Sequence, residues 1–280
     1  MSEPTPATAP APVPEVPRPT VAWQPFTPKG IAAFADAKLG RLFVLQVIVA
    51  LMAAGAVVWF VWGVWCPSVR EAIQNLPATG AIRSGELDLG ESSIERLVTN
   101  RFLTFAIDAQ SSRRHSFSAD VFVVFRRSSY EVCSLFGCAA FNYPVSNAPF
   151  NRLELEAKWG AWEPVLLGIA AAATGLSLLF VWWLLATLYC LPVWLLAFFC
   201  DRQLALGGSW RLCGAALLAG ALLLTAGVVA YGLGALDLIR LLIVATLHLI
   251  VPWVLIIFAV LARLGTATKL SANPFSTTNA

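Results

Sequence analysis

The chain has 280 residues, 58% of them hydrophobic and only 12% charged, with a net charge of +3 and a mean hydropathy of +0.73. A soluble domain carries about twice that share of charge, so an ordinary water-soluble protein is excluded. No basic block offers a surface for nucleic acid; the expected surroundings are a lipid bilayer.

Residues 1–28 hold Pro4, Pro6, Pro10, Pro12, Pro14, Pro17 and Pro19. Repeated proline removes backbone donors and fixes φ, which predicts an extended, disordered tail. It reads as a tether, with a ligand for a proline-reading domain as the alternative. It lacks the basic start, apolar core and cleavage site of a signal peptide. Residues 29–65 form the first membrane unit. Within it, residues 30–39 predict a short helix at the membrane surface, with Ile31, Phe34 and Leu39 toward lipid and Asp36 and Lys38 toward water. The first span follows over residues 42–65. Trp59, Trp62 and Trp65 crowd its far end, where indoles prefer the headgroup layer.

Residues 66–162 are a polar island of ordinary globular composition, long enough for one small α+β domain. Ser68 with Glu71 forms a capping-box pattern, predicting a helix that starts there and ends near Pro77. Residues 81–89 predict a strand pair turning at Ser84 and Gly85. Ser92 with Glu95 is a second capping-box pattern, predicting a short helix through Val98. Residues 102–109 and 121–125 are β-branched and aromatic, which favours strands. Residues 126–129 read as a turn into a further strand over 130–133. Residues 152–158 alternate and lead toward Trp159 and Trp162, a second aromatic girdle.

Residues 163–264 return the chain to the bilayer in three spans. The second span is expected over residues 164–186, but apolar character continues to Cys200. One helix over residues 164–200 would be about 55 Å long, against a hydrocarbon core of ~30 Å. Pro192 offers a break, so residues 190–204 are expected to be either a kinked continuation or an interfacial segment. The third span is expected over residues 210–231 and the fourth over residues 238–261, joined by a short turn. Residues 265–280 form a second tail. Lys29, Lys38 and Arg41 precede span one, Arg202 and Arg211 lie between spans two and three, and Arg263 and Lys269 follow span four. By the positive-inside rule both termini are cytoplasmic and residues 66–162 lie outside. The fold class is thus a four-span (1+3) α-helical membrane protein with an inserted extracytoplasmic α+β domain.

Six cysteines and a few polar residues supply the candidate sites. Cys133 and Cys138 are close in sequence and outside the cytoplasm, where such pairs form disulfides. A redox-active pair is the alternative, although the spacing is not Cys-x-x-Cys. Two cysteines leave a zinc site short of ligands, and neither metal nor cofactor is expected. Cys190, Cys200 and Cys213 are expected to be free thiols, and Cys66 has no assigned partner. Arg113, Arg114 and His115 form a candidate anion-binding loop. Asp108, beside His115 in sequence, invites a triad reading with a nearby serine, but no nucleophile-elbow glycines surround those serines, and no catalytic residue is assigned. His248 is the one titratable group near the middle of a span, which makes it a candidate intramembrane polar site; helix packing is the competing reading. Asp237 and Arg240 suggest a local ion pair at a helix start. Gly168 and Ala172, Ala216 and Gly220, and Ala226, Ala230 and Gly234 repeat small residues at four-residue spacing, which lets helices pack within the chain or between copies in a homo-oligomer.

The layout of one span, an exported island and three more spans resembles a family of bacterial inner-membrane proteins of unassigned activity. Some of its members are encoded beside maltodextrin-uptake genes. The residues that carry the resemblance are the Gly-Glu-Leu turn at 85–87, the Ile107–Asp108 step, and Leu206-Gly207-Gly208-Ser209-Trp210. The last of these is similar to the Gly-Gly junction of Yip-type membrane proteins and implies a Yip-like arrangement of the last three spans. Cys133 and Cys138 depart from the family pattern. The resemblance supplies no catalytic residues. The resulting expectation is a non-enzymatic scaffold or accessory subunit of the inner membrane, whose exported domain binds a membrane protein, an exported protein or a ligand. The alternatives are a small transporter or channel component built around His248, and an exported thiol-redox enzyme.

Overall fold

Long apolar runs satisfy their backbone polar groups in lipid only as helices or closed barrels. The computed structural model, which describes residues 24–89, 96–108 and 119–263, contains 4 helices long and apolar enough to cross a membrane: Leu39–Gln74, Arg152–Phe199, Leu206–Gly232 and Leu238–Leu261. Two sheets lie between the first and second of them in sequence.

The chain enters through α1 (Pro28–Phe34). Thr27 caps it by accepting a hydrogen bond from the Gly30 N–H at 3.1 Å, and Pro28 sits in the first turn, where its missing donor costs nothing. Ile31 and Phe34 are fully buried; they do not face lipid as the amphipathic reading expected. The reason is tertiary. Helix α1 packs against the last two helices, two arginines bind the carbonyls around its end, and a third braces one of them. Arg263 donates to Ala32 O at 2.9 Å and pairs with Asp36 at 3.2 Å, Arg211 donates to Ala35 O at 2.5 Å, and Arg202 donates to Arg263 O at 2.7 Å. Residues read as orientation signals thus also hold the helix ends together.

The first long helix runs as α2 (Leu39–Phe60), a π-helical turn (Val61–Trp65) and α3 (Cys66–Gln74). The expected new start at Ser68 is absent. Pro67 lacks an N–H, and the helix passes it through the wider turn, where the Cys66 N–H reaches Val61 O. Ser68 caps nothing; its hydroxyl donates to Val64 O one turn back at 2.9 Å.

Strands β1 (Ala81–Arg83) and β2 (Glu86–Asp88) form the expected hairpin. Ser84 and Gly85 both have positive φ, 50° and 83°, the geometry of a type I′ turn. Strand β8 (Ala148–Pro149) completes this small sheet in the order β2-β1-β8. A second sheet has the order β3-β4-β5-β6-β7, from β3 (Arg96–Thr99), β4 (Leu103–Ile107), β5 (Val121–Phe125), β6 (Ser129–Ser134) and β7 (Gly137–Asn142). Residues 96–98 are therefore strand, not the end of a helix, because Leu97 and Val98 enter the shared core. The capping-box pair Ser92 and Glu95 lies outside the described residues. Strands β4 and β5 pair in parallel, while every other pair in the sheet is antiparallel. Leu87 N–H donates to Arg127 O at 2.6 Å and links the two sheets. Ala72 and Leu76 of α3 pack with Ile82, Leu97, Ile107 and Phe150 to form the domain core.

Residues 152–158 also differ from expectation. They are the first turns of α4 (Arg152–Phe199), a single 48-residue helix, about 72 Å long at ~1.5 Å per residue. Asn151 caps it by accepting from the Glu154 N–H at 3.1 Å. Pro164 and Pro192 lie inside it and do not end it. Residues 190–199 are thus continuous with the second span, not a separate interfacial piece. Both ends of the polar island are helical extensions of membrane-length helices. Helices α5 (Leu206–Gly232) and α6 (Leu238–Leu261) form a hairpin. Asp237 caps α6 by accepting from the Arg240 N–H at 2.7 Å, and their side chains pair at 3.6 Å, as expected.

Helix α5 is the centre of the bundle. Its glycines set the packing distances. A Cβ on Gly220 would stand 2.3 Å from His248 O, and one on Gly227 would stand 2.7 Å from a Val244 methyl. Pro252 lies four residues after His248 and has no N–H to donate to that carbonyl, so helix α6 presents the His248 carbonyl and the proline ring to Gly220.

Candidate functional site

The feature with the most specific chemistry is the junction between the sheet domain and the helices. Three consecutive residues before β4 build most of it. Asn100 accepts from the N–H groups of Phe102 and Leu103 at 2.8 and 2.7 Å, an Asx turn, while its amide donates to Ser68 Oγ at 2.5 Å. Arg101 donates to Gly234 O at 2.8 Å and Leu236 O at 2.5 Å, satisfying carbonyls beyond the end of α5. The Phe102 ring meets Tyr231 edge-on at 5.0 Å and Phe60 at 5.7 Å. From the next strand, Asp120 accepts a hydrogen bond from Tyr231 Oη at 2.6 Å. Asn100 and Asp120 precede the parallel strands β4 and β5, so the parallel pairing carries both to the same end of the sheet.

A second connection lies on α3 and α4. Arg70 donates two hydrogen bonds to Glu163, at 2.6 and 3.1 Å. This fork-to-carboxylate match fixes the two helices beside each other, and Glu163 is buried. Within the bundle, Gln46 is buried on α2. Its Oε1 accepts from Trp183 Nε1 at 3.2 Å, and its Nε2, beside Gly214, has no hydrogen-bond partner among the described residues. Only its type, a lone amide in an apolar run, signalled it in the sequence.

The candidate residues are scattered. Cys133 and Cys138 are directly paired across β6 and β7 and joined by a disulfide. Cys66, Cys190, Cys200 and Cys213 are free thiols. Arg113, Arg114 and His115 lie outside the described residues. His248 is half-buried and its Nδ1 contacts the Ala245 carbonyl on its own helix. Ala216 and Gly220 are buried in the bundle, whereas Gly168, Ala172, Ala226 and Gly234 are exposed and Ala230 is half-buried. Gly234 instead ends α5 with a φ of +77°. On α5 the close-approach glycines that the four-residue spacing did not single out are Gly208, Gly214, Gly227 and Gly232.

The junction residues were not singled out either. Asn100, Arg101 and Tyr231 come together from segments more than a hundred residues apart, with no local pattern to announce them. Comparison with protein-family models, curated proteins and solved structures finds no match to this chain.

Proposed function

We propose that this chain is a bacterial inner-membrane protein with both termini in the cytoplasm and residues 66–162 outside. In this reading it is a non-enzymatic accessory or scaffold subunit, and its sheet domain binds a membrane or exported protein. The resemblance to bacterial four-span proteins with a Yip-like end points the same way. The observation that carries the binding role is strand β7. It is an edge of the five-stranded sheet, and all six of its residues are exposed. An open edge offers backbone donors and acceptors to a partner strand, and exposed side chains such as Phe141 supply selectivity. The disulfide to β6 keeps that edge in register. The junction fixes the domain to the helices, so a bound partner would be held at a set place against the membrane.

The test is photocrosslinking in cells from a probe at Phe141, followed by mass spectrometry. A single recurrent membrane or exported protein is the expected result. Absence of any protein adduct from correctly folded and oriented chains would overturn the binding role.

A further inference from the structure

The register of the second sheet fixes where the β6–β7 hairpin tip lies. Leu103 pairs with Val121, Val121 with Ser134, and Ser134 with Gly137. One step further toward the helices, Phe102, Asp120 and Leu135 therefore share a row. The first two touch membrane-length helices: Phe102 packs on Phe60 of the first long helix and on Tyr231 at the end of α5, and Asp120 binds Tyr231. The third belongs to a two-residue tip, Leu135–Phe136, that meets no such partner among the described residues. Leu135 is 58% exposed and Phe136 79% exposed. The tip begins one strand from Asp120 and two strands from Phe102, about 10 Å sideways from the latter at ~4.8 Å per strand. Trp59 marks the same level on the first long helix, since a Cβ on Gly232 at the end of α5 would touch its ring, and Trp62 and Trp65 follow within the next two turns.

We propose that Leu135 and Phe136 dip into the headgroup layer of the bilayer beside the bundle, as a second, non-helical membrane contact of the sheet domain. This rests on the four-span reading above. The occupant is lipid because the tip continues the aromatic level of the helices and carries no charge from Ser134 to Asn142. A large exposed aromatic at that depth is favoured by the interface. The Cys133–Cys138 bond closes the hairpin immediately behind the tip, so the two side chains are presented without the entropy cost of ordering a free loop. The junction then fixes the domain on one side and the tip steadies it on the other.

The test uses the full chain in lipid nanodiscs. A nitroxide is attached through p-azidophenylalanine at position 136, which leaves the cysteines untouched, and its accessibilities to oxygen and to a water-soluble nickel chelate are compared. Val145, beyond the far end of β7, supplies the water reference. Leu176, exposed on α4, supplies the lipid reference. The oxygen-to-nickel ratio at 136 should exceed that at Val145 several-fold and fall below that at Leu176. A label at Leu135 gives an independent second reading. Ratios at both tip positions equal to that of Val145, with Leu176 lipid-like, would overturn the tip proposal alone. A water-like ratio at Leu176 would overturn the spanning reading on which it rests.

Discussion

Tyr231 and Asp120 lie 111 residues apart in sequence, and their side-chain oxygens meet at 2.6 Å. The bond ties the last turn of α5 to the residue that opens β5. With Arg101 it converts a domain hung on two helices into one seated on a third. Tyr231→Phe keeps the ring against Phe60 and Phe102 and removes only the hydroxyl. It should cost about 1.5–3 kcal/mol, the worth of a hydrogen bond to a carboxylate. Hydrogen exchange should rise in residues 119–125 while the bundle stays protected; unchanged exchange there would remove the bond from the account.

Gly220 and Gly168 offer a matched comparison. A methyl on Gly220 would stand 2.3 Å from the His248 carbonyl and 2.9 Å from the Pro252 ring, while Gly168 has nothing within 4 Å. Gly220→Ala should destabilise the bundle by about 1–3 kcal/mol through overpacking. Gly168→Ala meets open space inside α4 and should be neutral or stabilise by up to about 1 kcal/mol through helix propensity. Unfolding in mixed micelles measures both, and equal effects would mean that α5 and α6 relax apart freely.

The Arg70–Glu163 pair is asymmetric. The Glu163 side chain is 9% exposed and that of Arg70 is 53% exposed. Removing the guanidinium leaves a carboxylate with poor access to water, whereas removing the carboxylate leaves a cation that water can solvate. Arg70→Ala should therefore lower the melting temperature more than Glu163→Gln. The reverse order would show that the carboxylate finds another donor.

Tyr143 gives a pH dependence of definite sign. Burial in the domain core pushes its phenol above the ordinary value, and the neighbouring Tyr130 adds to the shift. The folded state therefore holds this proton more tightly than the unfolded chain. Its stabilising contribution is complete below the usual phenol range near ~10 and is lost as pH rises above it. Tyr143→Phe should flatten that alkaline fall in stability. At neutral pH it should cost about 1 kcal/mol, because Tyr143 Oη no longer donates to Arg126 O, a bond of 2.9 Å. Melting curves between neutral pH and strong alkali test both parts together.

The Cys133–Cys138 ring is short, so its entropic contribution is modest. Replacing both cysteines with serine should cost about 2 kcal/mol by the chain-entropy estimate. The loss should be local, seen as faster exchange across β6 and β7 and not as unfolding of the helices. A global collapse would mean that the hairpin nucleates the whole domain.

Helix identity was legible wherever the pattern was long and uniform. The bounds of α6 and most of α5 follow from apolar runs ended by Gly232 and Asp237, because a membrane-length helix needs only composition and caps. The β1–β2 hairpin was equally plain from Ser84–Gly85, and β4 and β5 from β-branched and aromatic residues. Local signals failed where the chain had two options. Ser68–Glu71 looks like a helix start, but the preceding span continues through a π turn and uses the Ser68 hydroxyl elsewhere. Residues 96–98 followed a capping pattern, yet Leu97 and Val98 are drawn into a core shared with α3. Ile31 and Phe34 form an apolar face that fits lipid and protein equally well; Arg211 and Arg263 decide for protein by binding the carbonyls of α1. Four long apolar helices around a small sheet domain are written in the composition of the chain, since that layout rests on nonpolar surface summed over many residues. The seating of the domain emerges from the folded chain alone, because Asn100, Arg101, Asp120 and Tyr231 act through directional bonds between distant segments, and a directional bond leaves no periodic trace in the chain.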